Sequence, residues 1–533
     1  MATEVSSISG SAAQLALAEE TTIGVLPGSP VWFNLVVNSY GDFGSNLNLE
    51  SRRVISQRRR RKRGDIVSED ASAGFVTDFT PTVTTKLMPA VMLANWNEHP
   101  KKGTVFDTGI TVAGTPADYD IGTDAAVAGW EVGHLLYAEN FSTAANNGLK
   151  QVTGVTGNTI EVSGLTAEAS PPDTAVIRAV GIQFGSAELD VVKSGSAYPQ
   201  LNIASGTLDF TNFPQLVPGS RVYIDKANGA SSNRFVNAEN NGHMRVLSVT
   251  ATDLTLDRVD GGSDGETDMT SETGTGLSIR LFFADRIADE ALNNTRYNRI
   301  SHTAERQLGE PNPVANPGDI QTEDVLGAVT DTCVISVQNR SKSVVEYSLL
   351  GISAAEHTGQ AGDLRLTEGV TPLEIEESEF MNNSSHVVRS VLSTYPAATS
   401  GNAAPSVLVN FVTEYEIALS NQASILPAVG RTSGFDINTL DFVADVTLTN
   451  WFTDIATKKS IRANDRIQFE IAWQRPFNNR TVGVLMDFPS CALGDGIVSV
   501  DIDNAMQQPL RLEAADSVEH DQTVSYNVFW FIP

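Results

Sequence analysis

Two cysteines in 533 residues, Cys333 and Cys491, are too few for a disulfide framework. A buried free thiol at each is expected, which suits assembly in a reducing cytoplasm. Long apolar runs are missing as well. The longest near the start, Leu87 to Ala94, is interrupted by Pro89 and falls short of the roughly 20 residues that span a bilayer. The polar start, Met1 to Gly10, lacks a basic region followed by an apolar one, so no secretory leader is expected. Histidine is sparse: His99, His134, His243, His302, His357, His386 and His520. No two are spaced to share a metal on one helix or hairpin, and no cysteine lies beside them, so no metal and no cofactor are expected. Basic residues are outnumbered, 36 against 64 acids. An acidic surface repels phosphates, which argues against a nucleic-acid binder.

What is present is mostly strand pattern. Ile467, Phe469, Ile471 and Trp473 alternate with Arg466, Gln468, Glu470 and Ala472, a period of two that predicts a strand with one dry face. Similar runs are Leu189 to Val192, Met244 to Val249, Leu277 to Phe283, Val334 to Val337, Val344 to Leu349, Val407 to Leu419, Val443 to Thr449 and Ser525 to Ile532. Asn, Gly, Asp and Ser separate them, as turns require. Helical spacing is best over Thr84 to Trp96, with Pro89 expected in the first turn. Ala12 to Glu20 is a second helical candidate. A chain of this length exceeds one core, so two to four domains are expected.

An internal repeat organises the middle of the chain. Trp130-Glu-Val-Gly133 and Leu216-Val-Pro-Gly219 open the two copies. Asn146-Asn147-Gly148 with Val152, Val155 and Thr159 to Val162 then matches Asn240-Asn241-Gly242 with Val246, Val249 and Asp253 to Leu256. A Gly turn, a strand, an Asn-Gly hairpin and two more strands describe a small β-module. Residues 100–185 and 186–275 are read as two such modules, flanked by 1–99, 276–350, a poorly placed 351–440, and closing strands at 441–533. No constellation for catalysis stands out. Gly261-Gly-Ser263-Asp-Gly265 spells a nucleophile elbow but is followed by no helical pattern, so it reads as a loop. The chain is therefore not expected to be an enzyme.

The charge is segregated. Eight of the 36 basic residues lie between Arg52 and Arg63, leaving 28 against 64 acids elsewhere. The run Arg58, Arg59, Arg60, Arg61, Lys62, Arg63 has three readings. It is a solvated loop held open by repulsion, a contact to an acidic neighbouring subunit, or a phosphate contact. The last lacks interleaved aromatics for base stacking. A subunit contact is the reading favoured here.

Several stretches resemble siphophage tail tube proteins. Ala18-Glu-Glu-Thr-Thr-Ile-Gly24 is followed by Leu26-Pro-Gly-Ser-Pro30 and Trp32, then by Leu49-Glu-Ser-Arg52, Gly74-Phe-Val-Thr-Asp78 and the Leu87 to Leu93 helix. Ser301-His-Thr-Ala-Glu305-Arg306, Cys333-Val-Ile-Ser-Val337 and Val344-Val-Glu-Tyr-Ser348 are similar to that family's middle strands. Phe442 to Asn450 and the final strand ending at Pro533 resemble its closing part. The resemblance covers about half of the chain, in pieces whose order is the signal.

It implies a mainly β fold: a sandwich or barrel core with a short packing helix, plus small barrel-like modules inserted in it. It further implies homo-hexameric rings stacked into a tube in the virion, assembled in the host cytoplasm. Tape measure, terminator and distal tail proteins are the implied partners. DNA passes through without specific binding, and no membrane is involved. An acidic lumen suits that task, and the modules are expected to project outward. Another virion component, such as a decoration or terminator protein, and a carbohydrate-binding surface protein are the alternatives.

Overall fold

The computed structural model describes the chain except residues 1–9, 11–12, 52–62, 104–108, 195–197, 227–230, 258–268, 311–317, 376–380, 396–406, 410–411, 478–479 and 501–504. It is mainly β, with two α-helices among the described residues. Two compact units emerge. The first comprises Met1–Asn95, Asp289–Ser385 and Thr413–Thr449, and the second Trp96–Ala288, His386–Val412 and Asn450–Pro533.

In the first unit the 18-residue strand Gln321–Gln338 is the spine. Its first half pairs with His302–Gly309 and Ser353–His357, and its second half with Val344–Gly351 and Val412–Ser420. The change of partners falls near Gly327, whose φ of 65° is left-handed. A Cβ there would lie 2.7 Å from the Ile352 side chain, so glycine is required both for the conformation and for the space. Gln14–Glu19, expected as a helix, is instead a strand between Trp32–Leu35 and His302–Gly309. Leu15, Ala16, Leu17 and Ala18 are all fully buried. Alternating Leu and Ala fill the two faces of a central strand, and this tertiary burial overrides the helical propensity of the same residues.

The expected helix exists but is displaced, spanning Pro81–Met92. Thr80 caps it through Val83 N, and Pro81 occupies its first turn. Pro89, expected in the first turn, sits in the last full turn instead. The helix ends at Leu93, in the left-handed conformation with its N–H on the Pro89 carbonyl. Asn421 Nδ2 donates to the Val91 and Thr330 carbonyls at 3.0 Å each, tying the helix end to the spine strand.

In the second unit both repeats contribute to one sheet. Its order runs Leu189–Val192, Gln200–Ile203, Asp253–Asp257, Gly242–Val249, Arg221–Ile224, Arg280–Phe283, Val176–Gln183, His134–Glu139, Gly148–Gln151. One core holds Tyr119, Trp130 and Leu136 together with Met244, Leu256 and Phe283. The repeats thus share a sheet and a core, where the sequence reading drew a boundary at 185/186.

The repeat itself is reproduced bond for bond. In the first copy Asn146 Oδ1 accepts from Thr166 N and its Nδ2 donates to Glu168 Oε2. In the second, Asn240 does the same with Thr270 N and Glu272 Oε2. Asn147 and Asn241 each bracket a phenylalanine, accepting from Phe141 N or Phe235 N and donating to the same residue's carbonyl. Asn146 and Asn240 are fully buried, so each amide needs every one of these partners.

The closing strands of this unit are Val387–Thr394, Ile467–Phe477, Arg480–Asp495 and Ser525–Ile532, paired in that order. Ser525–Ile532 continues onto Asp285–Ala288, which follows directly from the repeat sheet. The final strand, read with the tube-like segments, therefore folds with the repeats.

Candidate assembly surface

The residues singled out by charge lie in sequence between the two strands of a long hairpin. Ser39–Ser51 pairs with Gly64–Asp78 from Ser39↔Val76 to Ser51↔Gly64. Arg58, Arg59, Arg60, Arg61 and Lys62 lie outside the described residues; Arg63 is described and exposed, next to Gly64. The base of this hairpin is anchored, since Ala71–Asp78 pairs with Val344–Gly351 and Ala73 and Phe75 are buried. Among the described residues the outer half has no such third strand. There Leu47, Leu49, Ile66 and Val67 are between 45% and 64% exposed. Leu49 faces Ile66 directly across the pair, and Leu47 lies two residues away on the same face. On the opposite face Asn48 Nδ2 donates to Ser68 Oγ and Asp70 Oδ2 at 2.9 and 3.0 Å. The arm thus offers one apolar face and one polar face, with the basic run at its end in sequence. Scattered exposed hydrophobics need no explanation, but Leu47, Leu49 and Ile66 on one face of an extended arm form a candidate contact surface.

The second unit holds a buried charge network that the sequence reading missed. Arg245 grips Asp257 with Nε and Nη2 at 2.8 and 3.0 Å, and reaches Asp487 at 3.1 Å and Gln468 at 2.9 Å. Arg221 Nη2 lies 2.5 Å from Glu470 and 2.7 Å from Asp487. Arg389 is also ion-paired with Glu470. Arg221, Arg245, Glu470 and Asp487 are all fully buried. Burial alone would raise the Asp257 carboxyl, but Arg245 and then His520 overcome it and hold it well below the usual range. The strand Ile467–Phe477 was expected to have one wet face; its polar residues Gln468 and Glu470 are instead buried beneath the arginines of the second repeat. Period-two alternation signals two different faces, and here the polar face is matched by charge rather than by water.

One chain of contacts has the order of a hydrolase relay. Ser517 Oγ lies 2.8 Å from His520 Nδ1, and His520 Nε2 lies 2.9 Å from Asp257 Oδ2. Ser517 and His520 are fully buried, however, and Arg466 Nη2 donates to the same hydroxyl at 3.0 Å. Ser517 is thus closed off from solvent, and the three groups satisfy one another as buried polar groups. The Gly261 to Gly265 motif lies outside the described residues. Among the described residues no group of three or more His, Cys, Asp or Glu is placed to hold a metal ion. Cys333 and Cys491 are buried free thiols, and burial pushes both up in pKa.

The first unit has its own buried acidic pair. Glu305 and Asp324 are cross-strand partners, both fully buried. Glu305 accepts from Gln307 Nε2 and from the backbone and hydroxyl of Thr367. Asp324 faces His357 Nε2 at 3.1 Å, and burial followed by the Glu305 charge pushes its carboxyl up to about 8.

No protein-family model matches the sequence, and no curated protein matches it either.

Proposed function

We propose that this chain is a structural subunit of a bacteriophage tail tube. Copies would join through their sheets into rings, expected to be hexameric, and stacked rings would form the conduit for DNA. The observation that carries the reading is the make-up of the first unit. The segments that resemble tube proteins are 17–96, 297–350, 442–450 and the final strand ending at Pro533; that strand folds in the second unit, and the other three are separated by about two hundred and about ninety residues of other sequence. Those three fold almost entirely into that one unit, around the helix Pro81–Met92 and the spine strand Gln321–Gln338. An exposed two-stranded arm adds a reason for self-association, because unpaired strand edges and an apolar face seek a partner. Closing sheets across subunits removes such edges and gives a defined oligomer.

In this reading the arm and the run Arg58 to Arg63 meet an acidic surface of a neighbouring copy, and the lumen is net acidic. Like-charge repulsion, reaching about 8 Å at physiological salt, keeps DNA off the wall. Sedimentation velocity over a range of concentrations tests the proposal. Ring-sized species growing into larger polymers are expected. A monomer at every concentration, together with glycan binding by the full chain, would favour the carbohydrate-binding alternative instead.

A further inference from the structure

The arm of the first unit needs a counterpart. A face that packs on the same face of another copy closes a two-fold pair and adds no further subunits, whereas rings and tubes grow by joining two different surfaces of each subunit. The seat of the arm must therefore lie elsewhere on the same chain. To match the arm it must be apolar, and to match the run Arg58 to Arg63 it must be acidic. One such surface is exposed in the first unit. The short strand Leu373–Glu374 lies on the opposite side of Trp32–Leu35 from Gln14–Glu19, in the parallel register Phe33↔Leu373, Asn34↔Glu374. Trp32, Phe33 and Leu35 are buried, which anchors the sheet here. Val31 and Val36, which flank that strand, together with Val370 and Leu373, are between 41% and 63% exposed.

The charge beside this flank is negative. Glu374 is exposed and accepts from Asn34 Nδ2 at 2.7 Å. Glu376, Glu377 and Glu379 follow it in sequence, outside the described residues, so residues 374–379 hold four acids and no base. The arrangement mirrors the arm: an exposed apolar strand leads in sequence into a run of one charge, negative here and positive there. The second unit also exposes apolar side chains, Trp451, Ile455, Ile497 and Val500. The helix Ala456–Ala463, which begins directly after Ile455, carries Lys458, Lys459 and Arg462. These have the sign of the run Arg58 to Arg63, so like charge disfavours that surface as its seat. Granted that the chain is a tube subunit, we propose that the arm of one copy docks on the Leu373–Glu374 flank of the next, with Leu47, Leu49 and Ile66 against the exposed valines and Leu373, and with the run Arg58 to Arg63 drawn to Glu374 and the acids that follow it in sequence. Apolar burial holds this contact, and the opposite charges speed and orient it.

Sedimentation velocity of full-length variants, alone and mixed, tests this. Leu373→Asp with Glu374→Lys should lose assembly at concentrations where the unaltered chain assembles, with an unchanged melting temperature, because both side chains are exposed. Glu374→Lys alone changes charge and leaves the apolar contact, and should raise the concentration needed for assembly about threefold or more. Mixed in equal amounts with the Leu49→Asp, Ile66→Asp variant, the Leu373→Asp, Glu374→Lys variant should form a one-to-one dimer and nothing larger, since one copy keeps an intact arm and the other an intact flank. That dimer should weaken about tenfold or more between about 0.05 and about 0.5 M salt. Assembly of the flank variant like the unaltered chain, no dimer on mixing, or loss of assembly only in Ile497→Asp would overturn the proposed seat and leave the tube reading standing. A monomer at every concentration for the unaltered chain would remove the tube reading, and the seat with it.

Discussion

Replacing Arg245 by methionine is the sharpest perturbation of the second unit. The guanidinium is fully buried and makes a two-pronged contact with Asp257, a third with Asp487 and a fourth with Gln468. Methionine roughly preserves the volume but strands two buried carboxylates. Asp487 keeps Arg221 at 2.7 Å and Gln522 Nε2 at 3.0 Å, while Asp257 keeps only His520 and the distant Tyr395 hydroxyl. Removing one partner of a buried pair costs about 3–5 kcal/mol, and two stranded partners place Arg245→Met toward the upper end. That is a large share of the roughly 5–15 kcal/mol that stabilises an ordinary domain. The double variant Arg245→Met with Asp257→Leu removes both charges. It should therefore cost less than the sum of the single variants by about 2 kcal/mol or more. Urea unfolding followed by tryptophan fluorescence is the assay, because all of the six tryptophans except Trp32 lie in the second unit. A loss below about 1 kcal/mol for Arg245→Met, the scale of an exposed ion pair, would refute the claim that this network joins the repeats to the closing strands.

Four further outcomes are expected. Burial lowers His134 to about 3, so it folds neutral and takes up a proton on unfolding. The second unit should lose stability as pH falls below about 6.5, by about 2 kcal/mol at pH 5 from this residue, and His134→Ser should flatten the profile of the urea midpoint against pH. Asp324, raised to about 8, acts in the opposite direction. Its contribution is full below pH about 4 and is lost as pH rises through 8, so Asp324→Asn should slow amide exchange in His302–Gly309 at pH 9. Asn146→Ala and Asn240→Ala should each cost about 2–3 kcal/mol in thermal unfolding, because each leaves a backbone N–H and a carboxylate short of a partner. The pair Leu49→Asp and Ile66→Asp should abolish assembly in sedimentation while leaving the melting temperature almost unchanged, since both side chains are exposed.

The strands were largely legible in the sequence because alternation and turn residues are local signals. Leu189–Val192 and Ser525–Ile532 fall where the pattern put them. The repeat was legible too, since Asn-Asn-Gly recurs with its strands. Its Glu168 and Glu272 partners were not, because their distances from the Asn-Asn-Gly differ between the copies. The Gln14–Glu19 strand was misread because Leu and Ala suit either element until the neighbouring strands are known. The start of the helix was misplaced because the Thr80-Pro81 cap was passed over for the later apolar spacing. The charge network was invisible for a different reason. Arg221, Arg245, Glu470 and Asp487 are far apart in sequence, and a charged residue in a strand reads as a wet face unless its partner is known. The proposed contact run Arg58 to Arg63 rests on charge alone. The exposed apolar face of the arm emerged only from the register of Leu49 on Ile66.

Negative-stain electron microscopy of the purified protein, concentrated at neutral pH, tests the central claim most directly. Hollow rings or tubes of one uniform bore are the expected result for the unaltered chain, with separate particles for the Leu49→Asp, Ile66→Asp variant. Solid or irregular aggregates, or tubes that persist unchanged in the arm variant, would contradict the account.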